Sequence, residues 1–173
     1  TVELRLGNIA RSRSLLMDVV KTSEEFRRDD SGIYSMGFAQ YGLGDLEYEL
    51  GNLKNAREWY QKALATWQDP ARKDPIRHIS YALNGLGFVE LKEENYGEAK
   101  RLFLEGIRSA EEFGRVDELA RGQFGLASAH LEADTDLDTA LILANESLDS
   151  FQHQGMQHEI RQSQELHEKI LVT

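Results

Sequence analysis

Two stretches of the sequence match each other without a gap: YGLGDLEYELGNLKNAREWYQKAL at residues 41–64 and NGLGFVELKEENYGEAKRLFLEGI at residues 84–107. Each places a Leu-Gly pair twelve residues before an alanine, and an aromatic residue four positions after that alanine. A glycine in mid-helix costs about 1 kcal/mol relative to alanine, so its recurrence indicates close contact with another helix. The pattern predicts helical hairpins that pack on one another.

A third stretch aligns with these two, and part of a fourth lies at the front of the chain. GLASAHLEADTDLDTALILANESL, residues 125–148, places Ala127-Ser128 opposite the Leu-Gly pairs. LGNIARSRSLLMDVV, residues 6–20, matches only the second half of the unit, so the chain is expected to begin inside a repeat. The residues that define the repeat are Leu43, Gly44, Ala56, Tyr60, Leu86, Gly87, Ala99, Phe103, Ala127, Ser128 and Ala140.

This pattern resembles the tetratricopeptide repeat. Successive copies of the alanine lie 43 and 41 residues apart, at Ala56, Ala99 and Ala140, against roughly 34 in the family. Such lengthened repeats are similar to the C-terminal arrays of bacterial signal-transduction ATPases and of MalT-like transcription activators. The resemblance implies an all-α fold, a right-handed superhelical stack of antiparallel helix hairpins with about eight helices, that is, a tetratricopeptide-like solenoid.

Capping and turn residues divide this single solenoid domain. Helix starts are predicted at Pro75 and after the N-cap residues Asn95 and Asp136. The last helix has a narrow apolar stripe, which is typical of a solvating cap, although it could also be the first helix of a further repeat. The predicted parts are a partial repeat at 1–30 (the second helix of a hairpin), repeats at 31–70, 74–114 and 115–154, and a capping helix at 155–173.

The family resemblance also implies that the first helix of each hairpin lines a concave surface where a partner binds. Helical periodicity places aromatic side chains with a polar rim on that face. Such rings suit recognition because they lose little conformational entropy when a partner covers them. Packing in the core is the competing interpretation of the same rings. The predicted partner-binding residues are Phe38, Tyr41, Asp45, Tyr48, Tyr81, Asn84, Phe88, Lys92 and Glu132.

Composition restricts the classes of function. The absence of cysteine excludes disulfides and thiolate chemistry. No two of the five histidines have the i, i+4 spacing of a helical zinc motif, and no catalytic or phosphate-binding motif is present. The sequence therefore predicts a protein that is not an enzyme and that holds no metal or cofactor. A formal charge of -10 without a dense basic cluster disfavours binding of nucleic acid by this segment.

Two further expectations concern location and partner. No apolar stretch approaches the ~18 residues of a membrane span, and no signal-peptide pattern is present, so a cytoplasmic protein without membrane contact is predicted. Chaperone-binding members of the family hold a C-terminal carboxylate with Lys, Asn and Arg. No matching position here can donate that charge, so a chaperone tail is disfavoured as partner. These positions are Tyr41, Asp45, Gly85, Gly122 and Leu126.

The sequence as a whole predicts a scaffold or sensor domain that binds a protein or peptide through its concave helix surface. The resembling arrays suggest that it acts in signal transduction as part of a larger regulator. The alternative is a regulatory module that responds to a small molecule bound between its inner helices. The sequence leaves the oligomeric state open.

Overall fold

The computed structural model describes residues 2–25, 30–68 and 78–173, with side chains for residues 7–25, 31–68 and 78–173. Within these ranges the chain forms eight α-helices and no strand, so the all-α prediction is confirmed. The helices are α1 (Val2–Glu25), α2 (Asp30–Glu49), α3 (Leu53–Trp67), α4 (Ile79–Lys92), α5 (Tyr96–Glu112), α6 (Val116–Glu132), α7 (Leu137–Gln154) and α8 (Gln157–Val172).

The predicted helix starts have different outcomes. Asp136 caps α7 as expected, because its Oδ1 accepts a hydrogen bond from the Thr139 backbone N–H at 3.2 Å. Asn95 occupies the N-cap position of α5 but does not cap it with its side chain. Its amide Nδ2 instead donates to Glu90 Oε2 at 2.9 Å, back across the turn. The start predicted at Pro75 lies outside the described residues.

The chain divides into two compact units, Thr1–Gly85 and Leu86–Thr173, with the boundary inside α4. In the first unit α1 packs on α2, and α2 packs on α3. In the second unit α5 packs on α6, α6 on α7, and α7 on α8. The turns between α2 and α3, α5 and α6, α6 and α7, and α7 and α8 are short, so each of these helix pairs forms a helical hairpin.

The turns that follow α2, α4, α5, α6 and α7 share one backbone geometry. In each, one residue adopts the left-handed conformation, and the N–H of the next residue donates to the carbonyl five residues earlier at 2.8 to 3.1 Å. This arrangement satisfies carbonyls that the helix end would otherwise leave without a partner. The left-handed residues are Gly51, Glu94, Gly114, Asp134 and Gly155.

Glu94 is a strained member of this set, and replacing it by glycine is expected to stabilise the protein. Its φ of 62° is a conformation that costs a residue with a Cβ roughly 1–2 kcal/mol. Part of that gain is offset because glycine has more freedom in the unfolded chain. We expect Glu94→Gly to raise the free energy of unfolding by about 0.5–1 kcal/mol, measured by urea denaturation.

The neighbouring substitution Glu93→Gly is the control, because Glu93 does not have a positive φ. It adds the same freedom to the unfolded chain without relieving strain, and should lower stability. Equal losses for the two variants would contradict the prediction.

The recurring glycines of the first unit hold one aromatic ring between them. Tyr60 of α3 is 1% exposed and lies between Gly44 of α2 and Gly85 of α4. A Cβ atom added at Gly44 would lie 2.5 Å from ring carbons of Tyr60, and one added at Gly85 would lie 2.7 Å away. The glycines are therefore required because the ring fills the space where their side chains would be.

The second unit repeats this arrangement with Phe103 of α5. Its fully buried ring lies against Gly87 of α4 and Gly125 of α6. In the next hairpin, formed by α7 and α8, the large and small residues change places. Ala144 of α7 stands at the position of Phe103, and the large residue is Leu166 of α8, which shares a buried cluster with it. A small residue on one helix is thus matched by a large one on the next in both places, as close packing demands.

The structure corrects the alignment of the third repeat by one residue. The side chains of Glu47 and Glu90, three residues after Gly44 and Gly87, accept hydrogen bonds from Asn52 and Asn95. In the third repeat, formed by α6 and α7, the side chains of His130 and Thr135 make the corresponding contact. His130 lies three residues after Ala127. Fully buried Ala127, not half-buried Ser128, is therefore the counterpart of Gly44 and Gly87.

The reason for the shift is one extra residue in the turn between α6 and α7. Asp134 is the left-handed residue of the shared turn geometry, and Thr135 closes it as Asn52 and Asn95 do. Asp136 then follows with a second left-handed backbone, φ 45°, before α7 begins. Because the alignment of residues 125–148 has no gap, it cannot include this insertion. It therefore matches each residue of α6 to a position one residue away from its true counterpart.

Candidate partner-binding surface

A group of aromatic rings from three helices lies together in the first unit. We call it the Phe38 cluster, and it consists of Tyr34 and Phe38 of α2, Trp67 of α3, His78, and Tyr81 of α4. The centroid of the Phe38 ring lies 5.3 Å from that of Trp67, 4.7 Å from that of His78 and 5.6 Å from that of Tyr81. Edge-to-face contacts of this kind are the favoured geometry of aromatic pairs.

Phe38 forms the exposed part of this cluster and Trp67 its base. The Trp67 side chain is 1% exposed, and its indole lies against Gly37, where an added Cβ would overlap it. Phe38 is 37% exposed, while Tyr34 and Tyr81 are half-buried. The cluster therefore presents a supported aromatic ring at the surface of the first unit.

The other predicted binding residues of the first unit differ in accessibility. Tyr41 is buried, and its ring lies 5.8 Å from Tyr60 and 5.4 Å from Tyr81, measured between centroids. Half-buried Asp45 accepts a hydrogen bond from the Tyr60 hydroxyl at 2.7 Å. Asn84 is fully buried, so it cannot touch a partner on this surface. Phe38 and Tyr81 are thus the predicted residues that meet at the surface, and Tyr48 is half-buried on the same helix as Phe38.

The second unit contains the remaining predicted residues. The Phe88 ring is half-buried and packs edge-on against Phe103, with centroids 4.9 Å apart. The guanidinium carbon of Arg121 lies 5.5 Å from the Phe88 ring centroid, and Phe124 lies beside the same ring at 6.3 Å. Lys92 and Glu132 are both exposed.

Sequence reasoning missed Arg121 and Phe124. With Ala127 as the counterpart of Gly87, Arg121 occupies the place of Tyr81, six residues before the small residue, and Phe124 occupies that of Asn84. The ungapped alignment put Gly122 and Gly125 there instead. A signal was present in the three alternating aspartates of ADTDLD, residues 133–138, because Asp is common in turns and at helix N-caps and its excess indicates an insertion.

On another side of α2, Glu47 joins that helix to α1 and to the turn before α3. This nearly buried carboxylate accepts hydrogen bonds from Arg13 Nη2 at 2.6 Å and from Asn52 Nδ2 at 2.8 Å. Burial raises the pKa of Glu47, but the hydrogen bonds from Asn52 and Arg13 and the charge of Arg13 together hold that pKa below its ordinary value. The charged form of Glu47 therefore stabilises the first unit.

This lowered pKa predicts a specific dependence on pH. A carboxyl whose pKa falls on folding contributes stability above its unfolded pKa, and loses it as pH falls through the folded pKa. We expect Glu47→Gln to lower the free energy of unfolding by about 1 kcal/mol at pH 7, and the difference from the parent to shrink below roughly pH 4. Glu58→Gln, at an exposed site on α3, is the control. Urea denaturation at several pH values measures both, and a difference that grows in acid would refute the role of Glu47.

Neither a cluster of metal ligands nor a helix suited to crossing a membrane occurs in the described part of the chain. No three His, Asp or Glu side chains there are grouped as ligands for a metal ion. None of the helices in those ranges has both the length and the apolar character that crossing a membrane requires.

Comparison with protein-family models matches residues 40–69 to the tetratricopeptide repeat. Comparison with curated proteins finds no relative. Among solved structures, the crystal structure of BtubC (BKLC) from P. vanneervenii is similar, with a TM-score of 0.68 and 18% sequence identity, covering 95% of this chain and 72% of that one. At this identity the likeness concerns the fold alone, and it confirms the predicted all-α helical-repeat solenoid.

Proposed function

We propose that this chain, whose residues 40–69 match the tetratricopeptide repeat, is a protein- or peptide-binding scaffold that holds its partner on the Phe38 cluster. Tetratricopeptide repeats generally mediate contacts between proteins, which supports a protein partner. The observation that carries the choice of site is the exposed Phe38 ring, held by Trp67, His78 and Tyr81.

The physical support for this site is its rigidity. Phe38 packs on rings from α3 and α4, so its side chain is already ordered before a partner arrives. Covering such a ring removes apolar surface from water at little cost in side-chain entropy. Residues that dominate binding at interfaces are commonly aromatic side chains of this kind.

The wider role that fits this site is that of a sensor or scaffold in the cytoplasm, within a larger regulator. A segment that binds the exposed face of α2 and α4 would stabilise whichever state of the attached protein presents that face best. No chemical step at the surface is required for this role. The lengthened repeats support it through their similarity to arrays in signal-transduction proteins.

A peptide-selection experiment tests the proposal. A phage library of random 12-residue peptides is selected on the folded protein, and the affinity of synthetic selected peptides is measured by fluorescence anisotropy. Phe38→Ala is expected to weaken binding about tenfold or more, because it removes the exposed ring. Circular dichroism should show that the variant keeps its helix content.

Leu50→Ala is the matched control, since Leu50 has the same 37% exposure as Phe38 but lies in the turn between α2 and α3. It should change affinity by less than about twofold. The site would be refuted if every selected peptide bound equally well to the parent and to Phe38→Ala, or if Phe38→Ala and Leu50→Ala lost the same affinity.

A further inference from the structure

The face of α2 that carries the Phe38 cluster combines aromatic and acidic side chains and has no basic one. α2 reads DSGIYSMGFAQYGLGDLEYE and contains neither Lys nor Arg. Positions 38, 45 and 49 of a helix point in nearly the same direction, within about 20°, because seven and eleven residues complete almost whole numbers of turns. Phe38, half-buried Asp45 and exposed Glu49 therefore lie along one line on the helix surface.

The part of α4 that contributes Tyr81 to the cluster adds no charge. Its residues within the first unit, ISYALNG from Ile79 to Gly85, are all neutral. A ligand lying on the Phe38 cluster therefore meets rings from both helices and, on α2, the carboxylates of Asp45 and Glu49.

This combination selects a cationic ligand. The faces of aromatic rings carry negative electrostatic potential, and a guanidinium is weakly hydrated and stacks on them readily. The carboxylates of Asp45 and Glu49 attract a second basic group. The chain's net charge of -10 also favours the approach of basic over acidic segments.

We propose that the partner segment is an extended basic peptide, with one arginine on the rings of Phe38 and Tyr81 and a second basic residue at Glu49. The eleven residues from Phe38 to Glu49 span about 16 Å of helix. An extended peptide covers that distance in about five residues, so the two basic residues stand about five positions apart. This inference rests on the proposed function and names the chemistry of its partner.

The peptides selected from the random library provide the test. Those whose binding depends on Phe38 are expected to be enriched in arginine and to carry two basic residues about five positions apart. Replacing the ring-binding arginine by citrulline, its neutral isostere, should weaken binding about tenfold. Raising the salt concentration from about 0.05 to 0.5 M should weaken binding several-fold, because it screens exposed charges.

Charge reversal in the protein provides the second arm. Glu49→Lys lies in the last turn of α2, where a cation suits the helix dipole, so the variant should fold. The variant is expected to weaken the binding of the basic peptides about tenfold. Glu58→Lys on α3 is the control, because it makes the same charge change at another exposed site, and it should change their affinity by less than about threefold.

The outcomes separate the two proposals. Phe38-dependent peptides that are neutral, acidic or proline-rich would overturn the basic partner and leave the proposed function standing. Equal effects of Glu49→Lys and Glu58→Lys would overturn the role of Glu49 in the same way. The absence of any Phe38-dependent peptide would instead overturn the proposed function, and the basic partner with it.

Discussion

Gly44→Ala is expected to lower the free energy of unfolding of the first unit by about 2 kcal/mol, although alanine is the better helix former. The added Cβ would lie 2.5 Å from the Tyr60 ring. That ring cannot retreat, because Gly85 lies against it and its hydroxyl is bonded to Asp45. Overpacking of this kind typically costs about 1–3 kcal/mol, which exceeds the roughly 1 kcal/mol that alanine gains in helix propensity.

The matched control for Gly44→Ala is Gly7→Ala, in α1 of the same unit. Gly7 also lies inside a helix, but an added Cβ there meets nothing within 4 Å. That substitution should raise stability by about 0.5–1 kcal/mol. Thermal and urea denaturation followed by circular dichroism measure both variants. If Gly44→Ala is as stabilising as Gly7→Ala, the Tyr60 ring does not require glycine at this position.

Phe103→Ala is expected to have the largest effect on the second unit, lowering the free energy of unfolding by about 3–5 kcal/mol. The ring is fully buried between Gly87 and Gly125 and contacts Phe88 at 4.9 Å between centroids. Its loss leaves a cavity that two glycines cannot fill. The variant tests whether this ring holds α4, α5 and α6 together, and urea denaturation measures the loss.

A second substitution should restore part of that stability. The next hairpin already places alanine where Phe103 stands and a large residue on the following helix, as Ala144 and Leu166. Adding Gly125→Leu to Phe103→Ala copies this exchange, and should recover about half of the lost free energy. Gly125→Leu alone should be strongly destabilising, since its side chain would overlap the Phe103 ring. If the losses of unfolding free energy of the two single variants simply add in the double variant, the two positions do not exchange a large and a small residue in this way.

These stability tests also bear on the proposed surface. Tyr41, which belongs to the predicted binding residues, touches both Tyr60 and Tyr81. A change at Tyr60 or Gly44 can therefore reach Tyr81 and the Phe38 cluster through packed rings. Binding experiments should for that reason use Phe38→Ala, whose side chain is exposed, and not Tyr41→Ala.

Local patterns were sufficient for the helices and for the positions of close contact. The spacing from Gly44 to Ala56 and from Gly87 to Ala99 predicted where the helices touch, because only small residues permit that approach. The third hairpin was shifted because one added turn residue, Asp136, leaves no mark in the helix periodicity on either side of it. Its left-handed backbone appears only in the folded turn.

The sequence did not determine which of the predicted binding side chains are exposed to solvent. Phe38, Tyr41 and Asn84 were all predicted to lie on the concave surface, yet Phe38 is 37% exposed and Asn84 is fully buried. The spacing of residues along one helix determines the direction of each side chain, but not which neighbouring helix covers it. That neighbour is supplied by residues far away in the chain, such as Trp67 beneath Phe38.

From its amino acids alone this protein was recognisable as an all-α repeat with glycines at the helix contacts, since helix periodicity and residue size act within short stretches. The folded arrangement of several helices was needed to show which rings fill the glycine sites and which ring faces solvent. The physical reason is that burial depends on atoms that distant parts of the chain bring together.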